Sequence, residues 1–150
     1  MKALAMLALG SLLSVTAFAN NNLNMSTTLA DVTTHAQKLQ RTAEEMKTML
    51  KSKAVDRAVL EQRMDAVHQD VAKLKDLVAS VEATGMQFTP AQQIAWDKLK
   101  TKVQLLEVFA NNKKNLLESG DVNKSRTFLR AHADGIAKRA AMLQQTASTL

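Results

Sequence analysis

Apolar and alanine side chains recur along this chain at alternating steps of three and four. The first series is Leu29, Val32, Ala36, Leu39, Ala43, Met46 and Leu50. Such spacing returns every member to one face of a 3.6-residue helix and predicts an amphipathic helix over about 27–52. A second series, Leu60, Met64, Val67, Val71, Leu74, Val78 and Val81, predicts a helix over about 55–84. Gly85 is placed to end it in the left-handed C′ conformation. The third helix, about 90–118, opens on Thr89-Pro90-Ala91-Gln92. Thr89 can accept at the N-cap, Pro90 suits the first helical position, and Gln92 completes a capping box. Its stripe is Trp96, Leu99, Val103, Leu106 and Ala110, widened by Leu105, Phe109, Leu116 and Leu117, and Ser119-Gly120 stops it. The fourth, about 123–148, carries Leu129, Ala133, Ile136, Ala140, Leu143, Ala147 and Leu150.

Four long helices joined by short turns predict an all-α fold, an antiparallel up-down-up-down four-helix bundle with a left-handed supercoil. Heptads this regular also serve as coiled-coil seams, so a pair of hairpins completed as a homodimer is the alternative. Frequent Ala in the first and fourth stripes lets those two helices approach closely. Met46, Met64 and Met142 are expected to fill gaps in the core.

Composition narrows the class further. With no Cys, one Pro, four Gly and one Trp beside four Phe in 150 residues, the chain lacks the turns and aromatic strands of a sandwich and the cysteines of a disulfide scaffold. Residues 1–19, MKALAMLALGSLLSVTAFA, read as a secretory signal peptide: basic Lys2, a short apolar run, then Ala17-Phe18-Ala19 as a cleavage pattern. The run from Ala3 to Val15 is shorter than the roughly 20 residues that span a bilayer. Cleavage after Ala19 leaves a polar lead, 20–26, and then a single helical domain, 27–150. Export to a bacterial periplasm is the expected address, with no transmembrane segment.

Candidate chemistry is sparse, and neither a catalytic residue, a metal ligand nor a cofactor-binding residue is assigned. His35, His68 and His132 each lie one position off a stripe, where boundary histidines are expected. A di-metal bundle needs paired Glu-x-x-His segments, and only Asp65-Ala-Val-His68 approximates one. Leu23-Asn24-Met25 resembles the opening of the exported b-type four-helix cytochromes. That resemblance implies a haem-ligating His near the end of the last helix, where this chain has only Met142. No G-x-S-x-G and no Gly-rich phosphate loop occurs, so the chain is read as no enzyme.

Charge is more informative. The formal net charge is +6, and in the predicted topology one end of the bundle collects Lys51, Lys53, Arg57, Lys113, Lys114, Lys124 and Arg126 against Asp56, Glu118 and Asp121. Lys124 and Arg126 sit at a helix N-terminus, where a cation opposes the macrodipole, so helix stability alone does not select them. The pattern suits either solvation or an anionic partner, such as an acidic protein segment or an anionic envelope component. It does not suit nucleic acid, since the cations are not interleaved with stacking aromatics.

Phe88-Thr89-Pro90-Ala91-Gln92-Gln93, followed by Trp96-Asp97-Lys98-Leu99, resembles the LTxxQ motif of the small helical periplasmic stress proteins related to the chaperone Spy. Thr89 and Gln92 match the two polar positions, and Phe88 stands where Leu is usual. A second copy, common in that family, is absent. The resemblance covers about twelve residues and implies ATP-independent protection of unfolded proteins by a basic surface with adaptable apolar patches.

Overall fold

The computed structural model describes the backbone of residues 10–52, 54–111 and 122–150, with side chains from Met25 onward except at 123 and 124. Among the described residues there are four helices and no strand: α1 (Gly10–Met49), α2 (Arg57–Ala83), α3 (Pro90–Asn111) and α4 (Val122–Ala147). The predicted end of the third helix, 112–118, and residues 1–9 of the expected leader lie outside the described residues. Helix α1 covers Gly10–Met49 and not about 27–52, so the segment 20–26 expected as a lead is helical. No Gly or Pro stands between 11 and 49 to break it, and the Asn residues of that segment are only mildly unfavourable in a helix.

Local chemistry accounts for the boundaries. Asp56 caps α2, its carboxylate accepting from the backbone N–H groups of Ala58 at 2.9 Å and Val59 at 3.2 Å, so the helix starts at Arg57 rather than about 55. Gly85 has φ 63° and donates its N–H to the Glu82 carbonyl at 3.3 Å, the left-handed C′ expected of it. At α3 the capping box is closed in both directions. Gln92 N–H donates to Thr89 Oγ1 at 3.3 Å, and Thr89 N–H donates to Gln92 Oε1 at 3.0 Å. Phe88 then stacks on the buried Trp96, with ring centroids 5.7 Å apart, and fixes the entry of the chain into α3.

Each helix packs on two neighbours, α1 on α2 and α4, and α3 on α2 and α4. Side-chain pairs show that neighbours run antiparallel. Between α1 and α2, His35 meets Asp70 and Glu45 meets Arg63; between α2 and α3, Lys75 meets Glu107 and Glu82 meets Lys100. The α1–α4 interface is the most extensive. Ala36 and Ala43 of α1 and Ala133, Ala137, Ala140 and Ala147 of α4 are all buried in the common core, and Gln144 Nε2 donates across the interface to Gln40 Oε1 at 2.8 Å. The predicted stripes form one buried cluster, with Leu29, Val78 and Leu150 packed at its margin.

Three positions depart from expectation. Leu105 and Met142, expected in the core, are 54% and 51% exposed. Both lie outside the direction that their helix turns toward its two neighbours. His132, expected at the boundary, is 1% exposed because α3 covers it. No helix among the described residues is long and apolar enough to cross a membrane.

Candidate binding face on α3 and α4

The core stripe of α4 is Leu129, Ala133, Ile136, Ala140, Leu143 and Ala147. A second stripe runs one position ahead of it: Phe128, His132, Gly135, Arg139, Met142 and Thr146, again at steps of four and three. Its middle turns toward α3, while Phe128 and Met142 remain more than half exposed. On α3 the corresponding outer stripe is Ala91, Ile94, Lys98, Thr101, Leu105 and Val108. Among the described residues, the large apolar side chains that stay exposed are Ile94, Leu105 and Val108 on α3 with Phe128 and Met142 on α4. The described side chains of α1 and α2 contribute none. Among the described side chains, the large exposed apolar ones are therefore confined to α3 and α4, and of these Ile94 lines the groove between the two helices.

The seam is built around Phe109. Its ring tip enters a notch at Gly135, where a Cβ would lie 2.7 Å from two ring carbons. His132, one turn earlier on α4, stacks on the ring with centroids 4.5 Å apart, and Arg139, one turn later, places its guanidinium carbon 3.9 Å from the ring centroid. Arg139 Nη1 also donates to the Gly135 carbonyl at 3.1 Å. Glycine in a helix interior costs roughly 1 kcal/mol relative to Ala, and here it provides room for the ring. Toward the other end of the seam, Ala91, Ile94, Lys98 and Lys102 line an open groove with Gln145, Thr146 and Thr149.

The electrostatics of this face are one-sided. Lys98, Lys102 and Arg139 border the seam, while the acidic residues of the same helices are engaged elsewhere. Glu107 bonds Lys75 of α2, Asp97 bonds Gln93 and Lys100, and Asp134 bonds Lys138 and reaches Lys47 of α1. Lys138 first and Lys47 second hold the Asp134 carboxyl below its ordinary range. Glu44 and then Asp134 raise Lys47, and Glu82 foremost raises Lys100.

The three histidines are distributed over three interfaces. His35 Nδ1 lies 2.7 Å from Asp70 Oδ1 between α1 and α2, and His132 is held between α3 and α4. Between α2 and α3, His68 Nε2 lies 3.2 Å from the Ala110 carbonyl oxygen, which can only accept, so Nε2 carries the proton. No group of three or more His, Cys, Asp or Glu that could hold a metal ion occurs among the described residues.

The residues singled out from the sequence fall at two places. Lys51 and Arg57 are exposed around the α1–α2 turn, and Arg57 donates from Nε to Glu61 Oε1 at 2.7 Å. Arg126 is half-buried near the start of α4 and Lys124 belongs to the same helix, while Lys53, Lys113, Lys114 and the Lys124 side chain lie outside the described residues. Antiparallel packing puts the α1–α2 turn at the end of the bundle where α3 finishes and α4 starts. Thr89 and Gln92 bond one another, so what the geometry displays at the motif positions is a helix cap. The core stripes alone do not mark the α3–α4 seam. Its signal in the sequence is the second three-four register on α4, whose apolar character Gly135 and Arg139 interrupt.

No family model, no curated protein and no solved structure matches the chain.

Proposed function

We propose that this chain is an exported, non-enzymatic helical-bundle binding protein, acting as a Spy-like, ATP-independent chaperone that covers apolar segments of non-native proteins in the bacterial periplasm. One observation carries the reading: the large apolar side chains that stay exposed among the described residues all belong to α3 and α4, the two helices whose seam is bordered by Lys98, Lys102 and Arg139. Leaving such a side chain in water forgoes roughly 1.5–3 kcal/mol of burial, so a cluster of them is better explained by a partner than by folding. The basic surroundings suit clients with acidic residues beside their apolar ones, and Met142 supplies an adaptable contact. The Thr89–Gln92 motif and the leader at 1–19 point to the same class and compartment.

The test is light scattering of a reduced client protein at low salt. Stoichiometric wild-type chain is expected to suppress aggregation, and the triple variant Ile94→Ser, Leu105→Ser, Val108→Ser to lose at least half of that protection with unchanged helicity. Absence of suppression by wild type, or full protection by the triple variant, defeats the reading. So does sedimentation as a dimer that the same substitutions dissociate, because the face then serves self-association.

A further inference from the structure

Within that seam, Arg139 is the residue that folding explains least. Lys47, Arg63, Lys75, Lys100 and Lys138 each meet a carboxylate on a neighbouring helix or one or two turns away. Arg139 is half-buried, and among the described residues no carboxylate pairs with it. It is nonetheless held in place. The Phe109 ring lies 3.9 Å beneath its guanidinium and the Gly135 carbonyl accepts from Nη1 at 3.1 Å. Gly135 is what lets the ring come so close. A guanidinium has five N–H donors in a fixed fork, and this arrangement uses one of them while immobilising the group. An immobilised cation loses little entropy when a carboxylate arrives, and partial burial strengthens the resulting bond.

We propose that Arg139 is the anchor that selects what the α3–α4 face binds: a polypeptide segment carrying an Asp or Glu side chain among apolar residues, its carboxylate on Arg139 and its apolar side chains over the exposed Leu105 and Met142. This inference rests on the binding function proposed above and adds the chemistry of the segment. A polypeptide is favoured over a fatty acid because the seam is an open strip along two helices, whereas an acyl chain is best covered by an enclosed pocket. Charge complementarity is local as well, since Lys98 and Lys102 border the same seam and its acids are paired away from it.

The experiment titrates the full chain into two fluorescent peptides of about twelve residues, rich in Leu and Phe, identical except for one central Glu or Gln. Wild type is expected to bind the Glu peptide about tenfold tighter by anisotropy, the usual worth of a hydrogen bond to a charged group. Arg139→Met, which keeps the aliphatic bulk, is expected to weaken the Glu peptide to the level of the Gln peptide and leave the latter within about twofold. Arg139→Lys, which keeps the charge without the fork, retains part of the preference and serves as the test if the Met variant does not fold. Equal weakening of both peptides by Arg139→Met makes the residue merely structural and overturns the proposal. Equal binding of both peptides by wild type overturns it too, while leaving the binding function standing. Failure of wild type to bind either peptide removes the binding function itself. Displacement of the Glu peptide by equimolar dodecanoate assigns the anchor to acyl carboxylates and overturns the polypeptide reading.

Discussion

Helices α1 and α3 follow the same three-four period and each buries one stripe, yet their outward faces differ in kind. On α1 from Asp31 onward the exposed positions are Asp31, Thr34, Gln37, Lys38, Arg41, Glu44 and Thr48, all polar. On α3 they include Ile94, Leu105 and Val108. Packing against α2 and α4 accounts for the large apolar side chains of α1 from Met25 onward, whereas α3 carries three that packing does not use. Residues under selection for the fold alone would resemble α1, so the contrast separates the part of the molecule that sustains the bundle from the part available to a partner.

Deleting the same atoms on the two sides is the strongest way to break this contrast. Leu39→Ala in α1, at a position with no exposure, is expected to cost about 2–5 kcal/mol by urea denaturation. Leu105→Ala in α3 is expected to change stability by less than about 0.5 kcal/mol while weakening client protection. Comparable destabilisation by both would mean that α3 is packed as α1 is.

A subtler variant sharpens the assignment of the seam. Gly135→Ala ought to stabilise α4 by roughly 1 kcal/mol on helix propensity alone. The added Cβ meets the Phe109 ring at 2.7 Å, so the expected outcome is instead a net loss of about 1 kcal/mol, together with weaker peptide discrimination at Arg139. A gain in thermal stability with binding intact would show that the notch is dispensable.

The smallest effect expected is on the α1–α4 side. The Asp134 carboxyl is lowered by Lys138 and Lys47, so its contribution to stability is fully present above the unfolded value near 3.8 and is lost as pH falls through the lower folded value. Urea midpoints of wild type and Asp134→Asn should therefore differ slightly and constantly from neutral pH to about pH 5 and converge in stronger acid. A difference that persists at pH 2 would mean that the carboxamide perturbs packing rather than charge.

Much of the architecture was legible along the chain. Spacing of Val, Leu, Ala and Met predicts the number and the buried faces of the helices, because a helix can present only one direction to a core and the period writes that direction into the sequence. Thr89, Pro90 and Gln92 predict a cap, and Gly85 a stop, since both depend on bonds within a few residues. Close approach of α1 and α4 follows from alanine at matching positions. What lay beyond the sequence were the positions beside each stripe. His132 and Leu105 both flank a core position, yet His132 is covered by Phe109 and Leu105 faces water. Period locates the centre of the buried face, whereas burial at its edge depends on which side the neighbouring helix occupies. Only the tertiary structure decides that, and with it the notch at Gly135, the seating of Arg139 on Phe109 and which large apolar side chains of α3 and α4 stay exposed.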